Sequence, residues 1–347
     1  VETELAIDAD DVVLATGSRP LALPGNPFAG ALIDSTQALE LNTLPSSAVI
    51  IGAGAVALEF ASLWNAAGCE VTLLIRKDRV LSTWERRASM TLTRELKRRG
   101  VNVIARTAVD RVDTGANLGA TVHYRQGDSD EDRTAYGEVV LAAIGRVPNT
   151  DADWFRSSGL KLDERGYVTV DGYGRTNLDG VWALGDITPG HALAHRAFEQ
   201  GITIAEKIAG ADPKPVIDDT VPQVVFSFPE AASVGLTLDQ AKAREDVVEP
   251  KETAYPMLSN ARMLMSGEGG SMTVVSGAFA NNPDMQVVLG VHIVSPIASD
   301  LIAEAEQLVG NRVPLADAAR LIHPHPTFSE TLGEALLKAD GRPLHTR

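Results

Sequence analysis

The sequence has little cysteine, no long apolar run and no excess of basic residues. Its single cysteine, Cys69, excludes an internal disulfide and a Cys-x-x-Cys site, and no metal site is predicted. No apolar run approaches the roughly 20 residues that span a bilayer. The first ten residues are acidic and mixed, which is not typical of a signal peptide. A reducing cytoplasm is therefore the expected compartment.

The charge balance excludes further classes of partner. A net charge of -15 argues against nucleic acid and anionic membranes, because both attract basic surfaces. The remaining composition, 44% hydrophobic and 22% charged, is ordinary for a globular protein. With 347 residues, the chain is long enough for two or three domains.

The segment from Ala48 to Arg76 carries the strongest local signal. An apolar strand over 48–51 leads into a glycine turn, a helical pattern of apolar residues continues through Trp64, and a second buried strand covers 71–75. Gly68 ends the helix. This order of strand, glycine turn, helix and strand is the context that a dinucleotide-binding fingerprint requires.

The glycines of this turn have separate expected roles. Gly52 permits the tight turn, and Gly54 lets the backbone approach a pyrophosphate at the helix N-terminus. Ala57 stands at the third glycine position and is small enough for close packing between helix and strand. The alternative is an ordinary turn between a strand and a helix, which the well-placed flanking elements disfavour.

The rest of the chain divides at a proline-rich linker over 213–222. Before it, three short buried strands run into glycines at 17, 145 and 185. The same part predicts helices at 35–41, 90–100 and 193–208, a strand at 101–104 and an antiparallel unit at 109–138. After it, the pattern predicts strands at 224–228, 233–235, 270–276 and 287–293, and helices at 238–244, 298–310 and 315–321. This second part reads as a separate α+β domain.

Five motifs in a fixed order carry a resemblance to a known family. They are Ala15-Thr16-Gly17-Ser18-Arg19-Pro20, the turn at 52–57, Ile144-Gly145-Arg146-Val147-Pro148-Asn149-Thr150, Ala183-Leu184-Gly185-Asp186, and His323-Pro324-His325-Pro326-Thr327 with Glu330. In this order the sequence closely resembles the FAD-dependent pyridine nucleotide–disulfide oxidoreductases over essentially its whole length. Within that family, HRAFEQG at 195–201 and the His-Pro-His-Pro-Thr pattern are most similar to the dihydrolipoamide dehydrogenases.

The resemblance implies an α/β fold with a Rossmann-like, doubly wound nucleotide-binding domain, remnants of a second, FAD-binding domain and a C-terminal α+β dimerisation domain. The expected boundaries are a partial FAD-binding domain at 1–36 and 151–216, an NAD(P)-binding domain at 37–150 and the dimerisation domain at 217–347. It also implies a homodimer whose active sites are completed across the subunit interface.

One departure from the family pattern stands out. The family begins with an FAD-binding fingerprint and a redox Cys-x4-Cys pair, and neither occurs here. Cys69 follows the nucleotide-domain helix and is expected to be a small buried hydrophobic residue. We therefore expect the sequence to be the C-terminal portion of a longer enzyme, and these residues alone to be inactive in disulfide chemistry.

The resemblance also implies roles for residues in the two nucleotide sites. Gly52, Gly54 and Ala57 would hold the pyrophosphate of the nicotinamide cofactor. Glu59 would lie near the nicotinamide, although an acid near a helix N-terminus also complements the helix dipole. Gly145 and Arg146 would lie near the nicotinamide nucleotide.

On the flavin side, Thr16 and Gly17 would lie near the FAD pyrophosphate or adenosine. Gly185 and Asp186 match the motif whose aspartate binds the ribityl chain, and a carboxylate there can accept a hydroxyl hydrogen bond. The alternative for Asp186 is an Asx turn that caps the next element.

The end of the second strand bears on the choice of nicotinamide coenzyme. NAD-binding proteins place an acid there for the ribose hydroxyls, whereas this chain has Ile75 followed by Arg76 and Lys77. Two cations without a carboxylate favour the 2′-phosphate of NADP. The run 75–81 resembles the NADPH-dependent glutathione reductases, whereas the C-terminal motif resembles enzymes that use NAD. A solvated basic turn is the alternative, and NADP is the prediction.

The C-terminal motif predicts a proton relay. An imidazole in general titrates near neutrality, so the side chain at position 325, a histidine, is of a type that can take and return a thiol proton. A carboxylate from Glu330 would fix its tautomer and support its cation. His323 is the second choice, because the histidine directly before Pro-Thr is the base in the family that the sequence resembles.

The predicted activity is hydride transfer between NAD(P)H and FAD, with electrons exchanged with a dithiol or disulfide, either a small molecule or a lipoyl domain. One alternative is a nucleotide-binding and dimerisation module without catalysis. Another is an NADPH reductase of the glutathione, mycothiol or quinone type, since no residue here identifies the disulfide substrate.

Overall fold

The computed structural model describes residues 6–115 and 119–346. Positions 1–5 of the predicted partial FAD-binding domain, 116–118 of the predicted antiparallel unit and position 347 lie outside the described residues. The fold is of the mixed α/β class. The chain forms two compact units. The first unit contains residues up to Pro20 and residues 146–218, and the second contains residues 21–145 and 219–347.

The strands, in chain order, are β1 Val12–Leu14, β2 Ser18–Pro20, β3 Leu32–Ile33, β4 Ser47–Ile51, β5 Glu70–Ile75, β6 Asn102–Ala105, β7 Thr107–Thr114, β8 Ala120–Gln126, β9 Arg133–Gly137, β10 Val139–Ala142, β11 Arg146–Pro148, β12 Val181–Ala183, β13 Gln223–Val225, β14 Glu230–Gly235, β15 Val247–Pro256, β16 Ser271–Phe279 and β17 Asn282–Ser295. The helices are α1 Ser35–Leu39, α2 Ala55–Ala66, α3 Arg86–Arg98, α4 Asp153–Ser157, α5 Ala194–Ile208, α6 Leu238–Ala243, α7 Ala261–Ser266, α8 Ala298–Gly310, α9 Leu315–Ala318 and α10 Glu330–Ala339.

The second unit contains a five-stranded parallel sheet in the order β3-β10-β4-β5-β6. The central strands β4 and β5 are almost continuously apolar and buried, as expected for a parallel sheet covered on both faces. The chain leaves β4, forms α2 and returns through β5, so the predicted order of strand, turn, helix and strand is confirmed. Because β10 and β5 flank β4 on opposite sides, the strand order reverses at β4, where such folds bind ligands.

Helix α3 begins at Arg86, four residues before the start predicted at Met90. The cause is the carboxylate of Glu85, which is 2% exposed and accepts hydrogen bonds from the Arg87 and Ala88 backbone N–H groups. A side chain that satisfies two N–H groups of the first turn is an N-cap. Glutamate is an uncommon N-cap residue, so the sequence pattern did not reveal this start.

The second unit also contains two antiparallel sheets. Strands β7, β8 and β9 form the predicted small sheet, and the order of the larger sheet is β13-β14-β17-β16-β15. Helix α8 packs on β14 and β17, and α10 packs on β15 and β16. Both β15 and α10 were missed by the sequence prediction. In β15, a register shift between Val248 and Lys251 breaks the alternation of apolar and polar residues that would identify a strand.

The first unit contains two strand pairs and the helices α4 and α5. Strands β1 and β12 pair in parallel, and β2 pairs with β11 in antiparallel orientation. The prediction that β1 is buried is wrong, because Val12 and Val13 are each 44% exposed. The physical reason is that β1 pairs only with β12 among the residues that the structure describes, so one of its edges carries no strand. Leu14 alone in this strand packs against the small core around Phe155.

Within residues 6–115 and 119–346, none of the helices combines the length and the apolar character needed to cross a lipid bilayer.

Candidate active site

The glycine turn after β4 is closed so tightly that a side chain does not fit at its first position. Gly52 has φ of +143°, and a Cβ there would lie 2.2 Å from the carbonyl oxygen of Ala143 and 3.4 Å from the Cβ of Ala57. Ala57 is itself fully buried. Glycine at the first position and alanine at the third are therefore dictated by packing between the helix and the strands.

The second glycine of the turn faces open space. Gly54 is the N-cap of α2 with no side-chain cap, so the first N–H groups of this helix point outward without side-chain partners. A Cβ on Gly54 would meet nothing within 4 Å, and the same holds for Gly145 at the end of the neighbouring strand. Open space over a helix N-terminus fits a diphosphate, which would accept hydrogen bonds from these N–H groups.

Glu59 lies one turn into α2 and makes a contact that the sequence did not predict. Its Oε1 accepts a hydrogen bond from the Phe226 backbone N–H at 2.9 Å, and Ser62 similarly accepts from the Phe228 N–H at 3.2 Å. These bonds tie α2 to the segment before β14. The second carboxylate oxygen of Glu59 has no partner among the described residues, and a place near the nicotinamide stays a prediction.

The end of β5 presents two unpaired cations. Ile75 is fully buried, and Arg76 and Lys77 directly after it are exposed. Neither side chain has an ion-pair or hydrogen-bond partner within residues 6–115 and 119–346. Arg79, by contrast, is held by Asp78 at 3.0 Å and by the Ser82 carbonyl. The positive charge after β5 is therefore available to an anionic ligand.

In the first unit, Asp186 is connected to Arg146 through Ser18. Ser18 Oγ donates to Asp186 Oδ2 at 2.5 Å and accepts from Arg146 Nε at 2.7 Å. Asp186 Oδ1 has no partner in the described part of the chain, so it can accept a hydroxyl hydrogen bond, which fits a polyol chain. Ser18 is a residue that the sequence reasoning missed. A place for Arg146 near the nicotinamide nucleotide stays a prediction.

The other predicted flavin-side residues take part in backbone contacts of the same unit. Thr16 Oγ1 donates to the Asn149 carbonyl at 2.8 Å, and the Asn149 N–H donates to the Gly17 carbonyl at 2.9 Å. Gly17 has φ of +71°, which favours glycine. The Gly185 N–H donates to Gln200 on α5 at 2.9 Å. These contacts position the turns after β1 and β12, and their predicted cofactor contacts stay predictions.

His325 and Glu330 form the pair that the sequence predicted. Nδ1 of His325 lies 2.8 Å from Oε1 of Glu330, and Oε2 of Glu330 accepts from the Thr327 backbone N–H at 2.8 Å. The His325 side chain is 70% exposed, whereas that of Glu330 is 19% exposed. One carboxylate thus holds both the imidazole and the backbone of the loop that carries it.

The ionisation of Glu330 suits this role. Desolvation alone would raise the pKa of Glu330, but hydrogen bonds from the Thr327 N–H and His325, with the charges of His325 and His345, hold this pKa below its ordinary value. An ionised carboxylate only accepts hydrogen bonds. Nδ1 of His325 must therefore carry the hydrogen, which leaves Nε2 as the basic nitrogen that faces solvent.

His323, the second choice from the sequence, has a different environment. Its Nε2 lies 2.9 Å from Oε1 of Glu304 on α8, and the ring packs so closely on α10 that a Cβ on Gly333 would lie 2.5 Å from Nδ1. The hydrogen bond to Glu304 is the largest of the contributions that raise the pKa of His323 above its ordinary value. His323 therefore anchors one end of the loop, and His325 stays exposed at its centre.

The His323–Glu304 pair predicts a defined pH dependence of stability. Since the folded-state pKa of His323 is raised above 6.5, the pair stabilises the fold fully at lower pH and loses this contribution as the pH rises through the raised pKa. We expect Glu304→Gln to cost about 1 kcal/mol near pH 6 and less near pH 9. Urea denaturation at both pH values measures this, with Glu306→Gln on the same helix as the control. A loss that grows with pH would contradict a charged His323.

The single cysteine is not placed for redox chemistry. Cys69 is buried directly before β5, and desolvation, with the charges of Glu138 and Glu70, raises its pKa to about 11. Because the thiolate is the nucleophile in disulfide exchange, such a thiol is unreactive near neutral pH. Its role is that of a small buried apolar residue, as predicted.

Comparison with known proteins places this geometry in a family. Residues 1–201 match the pyridine nucleotide-disulphide oxidoreductase family, and residues 221–336 match the dimerisation domain of the pyridine nucleotide-disulphide oxidoreductases. The chain is 36% identical over 342 residues to a dihydrolipoyl dehydrogenase of Cupriavidus necator, a match that covers 98% of this chain and 70% of the relative. It is 37% identical over 341 residues to that of Geobacillus stearothermophilus, which covers 96% and 69% of the two proteins.

Solved structures show the same fold. LpdA of Mycobacterium tuberculosis superposes with a TM-score of 0.84 at 29% identity over 95% of this chain and 70% of that one. The HOCl-induced flavoprotein disulfide reductase RclA of Escherichia coli gives a TM-score of 0.83 at 24% identity over 95% and 74%, which bears on the fold alone.

Proposed function

The chain belongs to the pyridine nucleotide-disulphide oxidoreductases, a family of flavin-dependent enzymes, and on this premise we propose that it acts as a dihydrolipoamide dehydrogenase-like oxidoreductase with NADPH as its coenzyme. The observation that carries the proposal is the His325–Glu330 pair at 2.8 Å, within the segment that matches the dimerisation domain. The dithiol partner is a lipoyl group or a small disulfide, and a cytoplasmic location stays a prediction.

The nicotinamide nucleotide would lie along the C-terminal edge of the parallel sheet. Its pyrophosphate would occupy the open space at Gly54 and accept hydrogen bonds from the first N–H groups of α2. The 2′-phosphate of NADP would meet the unpaired side chains of Arg76 and Lys77. NAD-binding proteins have an acidic residue at the position of Ile75, where its carboxylate binds the ribose hydroxyls. Because this chain has isoleucine there, no carboxylate at that position would repel the 2′-phosphate.

A bound FAD would supply the redox chemistry of this family, and the protein would hold and orient it. In this chain the residues of the first unit fit the ribityl part of such a group. Asp186 would accept a hydroxyl hydrogen bond through Oδ1, and its other oxygen is held by Ser18. Thr16 and Gly17 would position the turn near the dinucleotide phosphates.

The proton chemistry is assigned to His325. Nε2 of the neutral ring would accept the proton of a dithiol, and Glu330 would stabilise the imidazolium that forms. Ile322, four residues after α9 ends at Ala318 and next to His323, is 97% exposed. The match of residues 221–336 to the family's dimerisation domain supports a homodimer in which this loop serves the partner subunit.

Titration of the purified chain with NADPH and NADH tests the coenzyme assignment. We expect NADPH to bind at least about tenfold more tightly, because its extra phosphate can make charge-assisted hydrogen bonds to two cations. The double variant Arg76→Ala with Lys77→Ala should bind NADPH as weakly as NADH and leave NADH binding unchanged. Calorimetry gives both constants. Equal binding by the wild-type chain would contradict the use of NADP.

A second candidate is a nucleotide-binding and dimerisation module without turnover. It is favoured by the burial of Cys69 and by the pKa of about 11 of its thiol, since no other cysteine occurs in these 347 residues. The two candidates separate when FAD and a dithiol are added to the NADPH complex. Dithiol-dependent turnover would exclude the module, whereas binding without any change in nicotinamide absorbance would favour the module over an oxidoreductase that these residues form alone.

The substrate of the oxidoreductase has its own alternative. The cations after β5 also suit an NADPH reductase that acts on glutathione, mycothiol or a quinone. Parallel assays with dihydrolipoamide, these disulfides and a quinone distinguish the substrate classes, and the largest kcat/KM identifies the class.

A further inference from the structure

Arg106 leaves the parallel sheet beside the two cations that follow β5. Strands β5 and β6 pair in parallel with Ile75 opposite Ala105, so Arg76 and Arg106 come next on adjacent strands at the same edge. The Arg106 backbone N–H donates to the Lys77 carbonyl at 3.0 Å. The backbone therefore fixes Arg106 against the Arg76–Lys77 segment, although 29 residues of sequence lie between the two arginines.

The Arg106 side chain is not neutralised by the protein. It is exposed, and within the residues that the structure describes it has no ion-pair or side-chain hydrogen-bond partner. Its guanidinium carbon lies 4.0 Å from where a Cβ on Gly127 would be, in the turn after β8. The chain carries 46 acidic and 31 basic residues, so three cations that follow adjacent strands, with no carboxylate partner in the described part of the chain, are a local exception to its charge balance. Such a patch attracts an anion.

The backbone at this position favours glycine. Arg106 has φ of +57°, a left-handed conformation that a non-glycine residue adopts at a cost. A residue held in an unfavourable conformation is reason to ask what its side chain contributes. Since this side chain packs into no hydrophobic cluster and pairs with no acid, its charge is the remaining contribution.

The order of the sheet brings the nucleotide to Arg106. The pyrophosphate cradle follows β4 and the cations Arg76 and Lys77 follow β5, so a nucleotide that extends along this edge reaches the end of β6 next. We propose that Arg106 is a third determinant of 2′-phosphate binding, acting together with Arg76 and Lys77. This inference rests on the use of NADP proposed above and assigns the phosphate contact to a residue outside the fingerprint unit.

Two ligands that differ only in the 2′-phosphate test the inference: adenosine 2′,5′-bisphosphate and 5′-AMP, titrated by calorimetry into the full chain. We expect Arg106→Gly to weaken binding of the bisphosphate about tenfold, the loss of one charge-assisted contact, and to leave 5′-AMP unchanged. Glycine suits the backbone at this position, so the melting temperature should stay the same or rise. Arg106→Lys should retain most of the affinity.

Lys97→Ala is the matched control, because this exposed cation lies near the end of α3, before β6 begins, and thus at the opposite edge of the sheet. Its removal should not change either affinity. If Arg106→Gly binds the bisphosphate more tightly than 5′-AMP by the same factor as the wild-type chain does, the inference is overturned, while the use of NADP is left intact. Equal weakening of both ligands would indicate an adenine contact and also overturn it. Equal binding of the two ligands by the wild-type chain would overturn NADP use as well.

Discussion

Gly52→Ala should destabilise the nucleotide-binding part of the chain by about 4 kcal/mol and abolish nicotinamide nucleotide binding. The added Cβ would lie 2.2 Å from the Ala143 carbonyl oxygen, a backbone atom next to β10. Neither strand can move away without breaking the parallel pairing of β10 and β4. The φ of +143° at this position would also strain the backbone of any residue other than glycine. Urea denaturation and calorimetric titration with NADPH measure the two effects.

Gly54→Ala separates the packing effect from the ligand effect. The conformation at Gly54 has φ of -90°, which alanine adopts freely, and its Cβ would meet no protein atom within 4 Å. Stability should therefore fall by no more than about 1 kcal/mol, the cost of alanine in place of glycine at an N-cap. The methyl group would stand in the space assigned to the pyrophosphate, so NADPH affinity should still fall. Unchanged affinity in Gly54→Ala would contradict the proposed position of the pyrophosphate.

The sequence predicted well those features whose residues are close together in the chain. The β4–α2–β5 unit was predicted because its strands are continuously apolar and its glycines fall at fixed spacing. The pairing of His325 with Glu330 was accessible for the same reason, since a five-residue separation across a turn allows contact. Local spacing and periodicity carry this kind of information.

Contacts between distant segments could not be predicted from the sequence alone. Ser18 joins Asp186 to Arg146 only because β2 pairs with β11, a pairing that no local pattern indicates. Arg106 becomes a neighbour of Arg76 through the parallel register of β5 and β6. The exposure of β1 likewise depends on which strands lie beside it rather than on its own apolar residues. In each case the tertiary arrangement, not the residue type, decides the environment.

The neutral form of His325 should carry its hydrogen on Nδ1, and Glu330→Gln should remove this preference. The ionised carboxylate of Glu330 accepts but does not donate, so at 2.8 Å it selects the Nδ1–H tautomer. A glutamine amide presents a donor as well as an acceptor, so either tautomer can then form. Nitrogen NMR of the histidine rings distinguishes the two. His323→Gln is the control that keeps the Glu330 contact and removes the neighbouring ring from the spectrum.

The same substitution should also loosen the loop, because Glu330 holds the Thr327 N–H with its second oxygen. We expect a stability loss of about 1.5 kcal/mol, as for a hydrogen bond to a charged group, and faster hydrogen exchange at Thr327. A second prediction concerns catalysis. In a preparation that turns over a dithiol, His325→Gln should lower kcat by about a hundredfold, because general base catalysis is lost. Glu330→Gln should lower kcat less, since the base remains but its orientation is no longer fixed. A neutral His325 with its hydrogen on Nε2 in the wild-type chain would contradict the relay, because the nitrogen that faces solvent would then have no lone pair to accept a thiol proton.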